Sequence, residues 1–243
     1  MTSLIEGVVS EKHKEIIALL NNWKGDHDLE SIEPTIYYEW MHRIMFEAMR
    51  DEIGDDNFYA FQKTHLFKKS YPKLIFHTNS VWWDRINTGD VESISQLTLE
   101  TFEKSLEVLK DKFNGKDFNE WRWGEIHQST FEHPLGTVAA LAPYFNVGPF
   151  EAPGGMETIN NASFHWSDTT GILQSAYGPQ MRIVHNVTNP NDSWSVLPTG
   201  QSGNVMSKHY KDQAGLYMQG EFRPQLMDRK KIEACSSRLL FKP

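Results

Sequence analysis

An α+β fold, with a helical first half and a mainly antiparallel β second half, is what this 243-residue sequence predicts. Three observations carry that prediction. Leu99, Phe102, Leu106, Leu109 and Phe113 recur at alternating three- and four-residue steps, which lines one face of a helix. Beyond about residue 130, Pro134, Gly136, Pro143, Gly148, Pro149, Pro153, Gly154 and Gly155 crowd the chain and interrupt any long element. Short β-branched or aromatic runs follow them. Helices succeeded by strands, rather than alternating with them, argue for α+β. The division falls near residue 130, giving a mainly helical part (1–130) and a loop-rich and β part (131–243).

Each element has its own signal. Ile16, Leu19, Leu20 and Trp23 form one amphipathic stripe that Lys24-Gly25 closes. Pro34 suits a helix start, because its missing N–H is not needed there. The apolar set that follows, from Ile36 and Tyr37 through Trp40, Met41, Ile44, Met45, Ala48 and Met49, is broad enough for burial on more than one side. Ile53-Gly54-Asp55-Asp56 ends it. For the helix around Leu106, Thr98 is placed as N-cap and Asn114-Gly115 as the stop. In the second half, Thr158–Trp166 alternates with Ala162, Phe164 and Trp166 on one face. Gln180–Val187 and Ser193–Leu197 also read as strands. Ser207–Gln219 reads as a return to helix, and Ser237–Phe241 as a closing strand.

Composition excludes several functions. The net charge of -8 and the lack of a basic run exclude nucleic-acid binding. Cys235 is the only cysteine, so no intrachain disulfide and no cysteine-based zinc site can form; it is expected to be partly buried. No segment approaches the roughly 20 apolar residues of a membrane span. The N-terminus lacks the pattern of a signal peptide, which at face value keeps the chain in the cytoplasm.

Candidate chemistry is sparse. Gly200-Gln201-Ser202-Gly203 suggests a nucleophile elbow, but the glycine that motif requires two residues after Ser202 is replaced by Asn204. A close-packed glycine turn is the expectation there. His42, His127, His133, His165, His185 and His209 have no metal-ligand spacing and are expected to be hydrogen-bonded structural residues. Asn161, Asn186 and Asn191 head Asn-x-Ser/Thr sequons, which matter only in a eukaryotic secreted protein. Removal of Met1 would expose Thr2 as an N-terminal nucleophile with its own amine as base. The polar, helix-bound residues after Thr2 argue against that role.

Five segments, in order, resemble the β-subunit of the penicillin acylase (penicillin amidase) family of N-terminal-nucleophile hydrolases, the first an element nearer its middle and the others late ones. They are Leu19-Leu20-Asn21-Asn22-Trp23-Lys24-Gly25; Trp121-Arg122-Trp123-Gly124-Glu125-Ile126-His127 with Phe131-Glu132-His133-Pro134-Leu135-Gly136; Gly154-Gly155-Met156-Glu157-Thr158-Ile159-Asn160; Gly178-Pro179-Gln180-Met181-Arg182; and Leu197-Pro198-Thr199-Gly200-Gln201-Ser202-Gly203 with His209-Tyr210-Lys211-Asp212-Gln213. Lys24 departs from the family's usual acidic or amide residue.

The resemblance implies part of a four-layer αββα architecture and an amide hydrolase that attacks linear N-acyl bonds. The family's nucleophile, oxyanion donors and calcium ligands lie upstream of the matching region. No catalytic, cofactor or metal residue is therefore carried onto this chain, and no cofactor is expected. The implied partners are the remaining α and β segments of the acylase, or a second copy through an exposed apolar face, for which Trp40, Trp82, Trp83, Trp121 and Trp123 are the candidates. A non-catalytic binding or scaffold module is the alternative. A full-length family member would be periplasmic or secreted.

Overall fold

The computed structural model describes residues 1–166 and 171–236. Its first half is helical. The elements are α1 (Lys14–Asn22), α2 (Glu33–Ile53), α3 (Asp55–Phe61), α4 (His65–Phe76) and α5 (Ile94–Lys112). Helix α2 begins with Pro34 in its first turn and ends at Gly54, whose φ of 80° a side-chain-bearing residue rarely adopts. Ile36, Trp40, Ile44 and Met45 of α2 are fully buried. Helix α5 packs beside α2, where the Phe102 ring lies 4.8 Å from that of Trp40 and the Trp40 indole N–H donates to the Thr98 carbonyl at 3.1 Å.

The N-cap of α5 is Ser93, not Thr98. Ser93 and Gln96 form a reciprocal capping box, each satisfying an otherwise orphaned main-chain N–H. Thr98 lies inside the helix, fully buried, with its hydroxyl donating to the Ile94 carbonyl at 2.5 Å. Asn114 and Gly115 end α5 in left-handed conformation, as expected.

The tryptophans expected to form an exposed face are inside. Trp40, Trp83, Trp121 and Trp123 are 0–3% exposed, and Trp82 is half-buried against the core. Burial is possible because each of the four indole N–H groups meets a carbonyl: Thr98, His77, Lys116 and Gly154 respectively. The exposed apolar residues are others, among them Leu66, Phe76, Val81, Val187 and Met206.

A short helix α6 (Trp123–Ile126) leads directly into β1 (His127–Phe131); α7 (Ala142–Phe145) precedes β2 (Val147–Glu151). With β3 (Ser163–Phe164) and β4 (Leu173–Tyr177) these strands form a sheet of order β2-β1-β4-β3. The outer pairs are antiparallel, but β1 and β4 run parallel. A second, antiparallel sheet comprises β5 (Arg182–Val184), β6 (Ser193–Val196) and β7 (Arg223–Gln225). Helix α8 (Ala214–Gln219) lies between β6 and β7 in sequence, and α9 (Arg229–Cys235) follows β7.

Several expected elements are shorter than their sequence signal. The strand expected over 158–166 shrinks to Ser163–Phe164, because Thr158 and Asn160 bond into the preceding glycine turn instead. The helix expected over 207–219 begins only at Ala214; turns at Asn204 and Ser207 use the main chain before it. Cys235 is exposed rather than partly buried, its helix carrying no buried residue. The closing strand expected over 237–241 lies outside the described residues. Among the described residues no helix is long and apolar enough to cross a membrane.

Tyr38 of α2, Trp123, His127 and Phe164 join the helices to the first sheet. Trp123 stacks on Tyr38 at 5.3 Å and on His127 at 4.5 Å, and Tyr38 meets Phe164 edge-on at 5.0 Å.

Candidate functional site

Motif segments meet one another where the sheets and the helices join, and several of their glycines, Gly154, Gly155 and Gly200 among them, stand where no side chain fits. Gly154 has φ of 87°, and a Cβ on it would overlap the Asn160 carbonyl oxygen. A Cβ on Gly200 would overlap the carbonyl oxygen of His209. Gly155 packs against the His27 ring and the Tyr38 hydroxyl. Around these close approaches the main chain is cross-braced. Trp123 donates from its indole to the Gly154 carbonyl at 2.8 Å, and its own N–H reaches the Ser31 carbonyl at 2.8 Å. Gly154 N–H donates to the His27 carbonyl at 2.8 Å, and Gln213 N–H to the Thr199 carbonyl at 2.9 Å.

Arg182 is the centre of this junction. Its guanidinium donates to the Tyr217 carbonyl at 2.5 Å and to the Asn160 side-chain oxygen at 2.6 Å, and lies 3.8 Å from the centre of the Tyr217 ring. The Tyr217 hydroxyl in turn donates to the Pro179 carbonyl at 2.7 Å, and burial pushes its pKa up. Two other segments, those of Asn160 and Tyr217, are thereby fixed to the segment that carries this cation. Asn160 and Arg182 stand in segments the sequence singled out; Tyr217 does not, and its only advance signal is an aromatic residue within the expected terminal helix.

Beside this junction a cavity of about 630 Å³ opens between the two sheets. Thr130 and Glu132 of the β1 side, Gln174 and Tyr177 of β4, and Arg182 and Tyr217 line it. Its lining is mixed, with amide, hydroxyl and charged groups among the rings.

His127 sits next to it, fully buried. Its Nδ1 is 2.6 Å from the Ala152 carbonyl oxygen and its Nε2 2.9 Å from that of Ala162. Two acceptors would favour an imidazolium, but burial outweighs them and lowers the pKa to about 4. The neutral ring carries one N–H, and the shorter contact assigns it to Nδ1.

The remaining sequence candidates are dispersed. The Ser202 hydroxyl oxygen accepts from the Asn204 N–H at 3.1 Å. His209 turns to Asp212, 2.8 Å from its carboxylate, rather than to that hydroxyl. A second hydroxyl, Ser10, does lie 3.1 Å from a ring nitrogen, that of His13, but His13 packs edge-on against Phe102 at the exposed start of α1. His42 pairs with Gln62 at 2.9 Å, and His133 accepts from the Leu135 N–H at 3.1 Å to open a 3-10 turn. His165 and His185 are exposed. Thr2 opens a 3-10 turn, not a buried strand. The Asn161, Asn186 and Asn191 side chains each accept main-chain N–H groups, from Ser163, Thr188 and Met227 respectively. Among the described residues no group of His, Cys, Asp and Glu is placed to hold a metal ion.

The sequence profile of the penicillin amidase family matches residues 2–234, and the chain belongs to that family of hydrolases. It is similar to the acyl-homoserine lactone acylase QuiP of Pseudomonas aeruginosa, 23% identical over an alignment of 240 residues that covers 89% of this chain and 28% of the relative. The Pseudomonas fluorescens enzyme of the same name is 23% identical over an alignment of 236 residues that covers 90% of this chain and 27% of the relative. A thermostable penicillin G acylase from Alcaligenes faecalis superimposes with a TM-score of 0.48 at 14% identity, covering 100% of this chain and 45% of that one. The chain thus spans little more than a quarter of the length of these curated relatives.

Proposed function

We propose that this chain is the C-terminal portion of a penicillin-acylase-type amide hydrolase that cleaves linear N-acyl bonds, and that it is incomplete as a catalyst alone. The observation that carries this reading is the family match over residues 2–234 by a chain covering only 28% of its Pseudomonas aeruginosa relative. The motif geometry supports it. Hydrolysis of this type needs nucleophile, base and oxyanion donors assembled within about an ångström. The motif residues instead hold main chain to main chain, and the one motif serine is tied to its own turn.

In this reading the chain supplies helices that cover a four-layer αββα core, together with its late strands, and the nucleophile belongs to the remaining α and β segments. Acylases of the complete kind would work in the periplasm or outside the cell. A second reading, a non-catalytic module descended from the family, is favoured by one observation: four of the five tryptophans expected to face a partner are sealed inside this chain's own core.

Co-expression with the polypeptide encoded immediately upstream of Met1 separates the two. A complex that co-elutes on a sizing column supports the hydrolase portion. A monodisperse, cooperatively melting chain that ignores that polypeptide supports the free-standing module and overturns the first reading.

A further inference from the structure

Strands β1 and β4 are neighbours for two residue pairs only, His127 with Leu173 and Gln128 with Gln174. Each nevertheless continues as a strand. On its far side β1 stays paired with β2 as far as Phe131 opposite Val147, and β4 stays paired with β3 as far as Tyr177 opposite Ser163. The two strands therefore part while both remain ordered, which is not what fraying at a sheet end does. The cavity of about 630 Å³ between the two sheets reaches into this gap, where Ser129–Glu132 line one side and Gln174–Gly178 the other.

The inner edges of both walls are strand edges. The Ala152 N–H donates to the His127 carbonyl, so His127 turns its main-chain groups toward β2. Strand alternation then turns those of Gln128 and Thr130 toward β4. Only Gln128 finds a β4 partner in the strand pairing. Unpaired strand edges are templates for another strand. Two such edges facing each other across a gap make a slot for extended chain rather than for a compact solute.

We infer that the cleft between β1 and β4 receives an extended polypeptide segment from the remaining part of the amidase, which pairs by main-chain hydrogen bonds with Thr130–Glu132 and with Ser175–Gly178. The inference rests on the function proposed above and names where the missing segments engage. The mode is strand addition, in which affinity comes from the main chain and selectivity from the side chains that line the slot. Arg182 and Asn160, locked together at the cleft wall, give that wall a fixed polar surface.

Hydrogen exchange of individual amides tests it, on the 243-residue chain alone and after co-expression with the polypeptide encoded immediately upstream of Met1. Exchange at Thr130 and Tyr177, the amides that strand alternation turns into the cleft, is expected to slow by about 100-fold or more in the complex, as amides entering a stable ladder do. A complex that forms while these amides keep their rates overturns the inference and leaves the proposed function standing. Failure of the two chains to associate overturns both.

Discussion

Buried His127 makes stability depend on pH in a direction and size that can be worked out. Its pKa falls from the ordinary 6.5 to about 4, burial being the main cause. The folded state thus prefers the neutral ring. The stability this preference contributes is fully present above about pH 6.5 and is lost as the pH falls through that value toward 4. With these two values the linkage removes about 2 kcal/mol between pH 8 and pH 5, and about 3 kcal/mol by pH 4. His127→Asn removes the titration. Whatever that variant costs at neutral pH, the stability gap between wild type and variant is expected to narrow by about 2 kcal/mol from pH 8 to pH 5. Urea unfolding of both proteins across that range measures it. Parallel stability curves would refute the placement of His127 as a neutral ring between two carbonyls.

Three further outcomes follow from the same geometry. Glu52 behaves oppositely to His127: burial, followed by the neighbouring Asp51, raises its pKa to about 7, so its contribution is intact below about pH 4.5 and is lost as pH rises through 7; Glu52→Gln is expected to flatten that loss in thermal melts at pH 5 and pH 8. Gly154→Ala forces a Cβ into the Asn160 carbonyl at a φ of 87° and is expected to cost at least about 2 kcal/mol in denaturant unfolding; a loss below 0.5 kcal/mol would show that the turn is not so closely packed. Ser202→Ala removes one hydroxyl contact to Asn204 and is expected to change stability by no more than about 1 kcal/mol, with no effect on amide hydrolysis by the assembled complex.

The long helices were legible because burial repeats with the helical period. Leu99, Phe102, Leu106, Leu109 and Phe113 mark α5, and Pro34 with Gly54 brackets α2. The start of α5 was misread because Thr98 also suits a cap, while the Ser93–Gln96 box lies before the apolar stripe begins. Helix α4 escaped notice for a physical reason. Its buried set is Phe67, Tyr71 and Leu74, but exposed Leu66 and Phe76 blur that stripe and Pro72 interrupts it. Strands β1 and β2 hid in the glycine- and proline-rich stretch, where the decisive fact, pairing of His127 with Leu173, is a long-range one.

The junction was half legible. Its segments were recognisable as a set, but what Gly200 is for depends on the His209 carbonyl against it, and no local pattern reveals that. The tryptophans were misplaced for a similar reason: a large indole reads as a candidate for an interface until its N–H is seen to find a carbonyl indoors.

The central claim is that these residues frame an amide hydrolase whose nucleophile lies elsewhere. Turnover of an N-acyl-homoserine lactone and of penicillin G tests it most directly, measured for the isolated 243-residue chain and for the chain co-expressed with the polypeptide encoded upstream of Met1. The account predicts no hydrolysis by the chain alone and hydrolysis of at least one substrate by the complex, unaffected by Ser202→Ala. Hydrolysis by the isolated chain at the rate of the complex, abolished by Ser202→Ala, would contradict it.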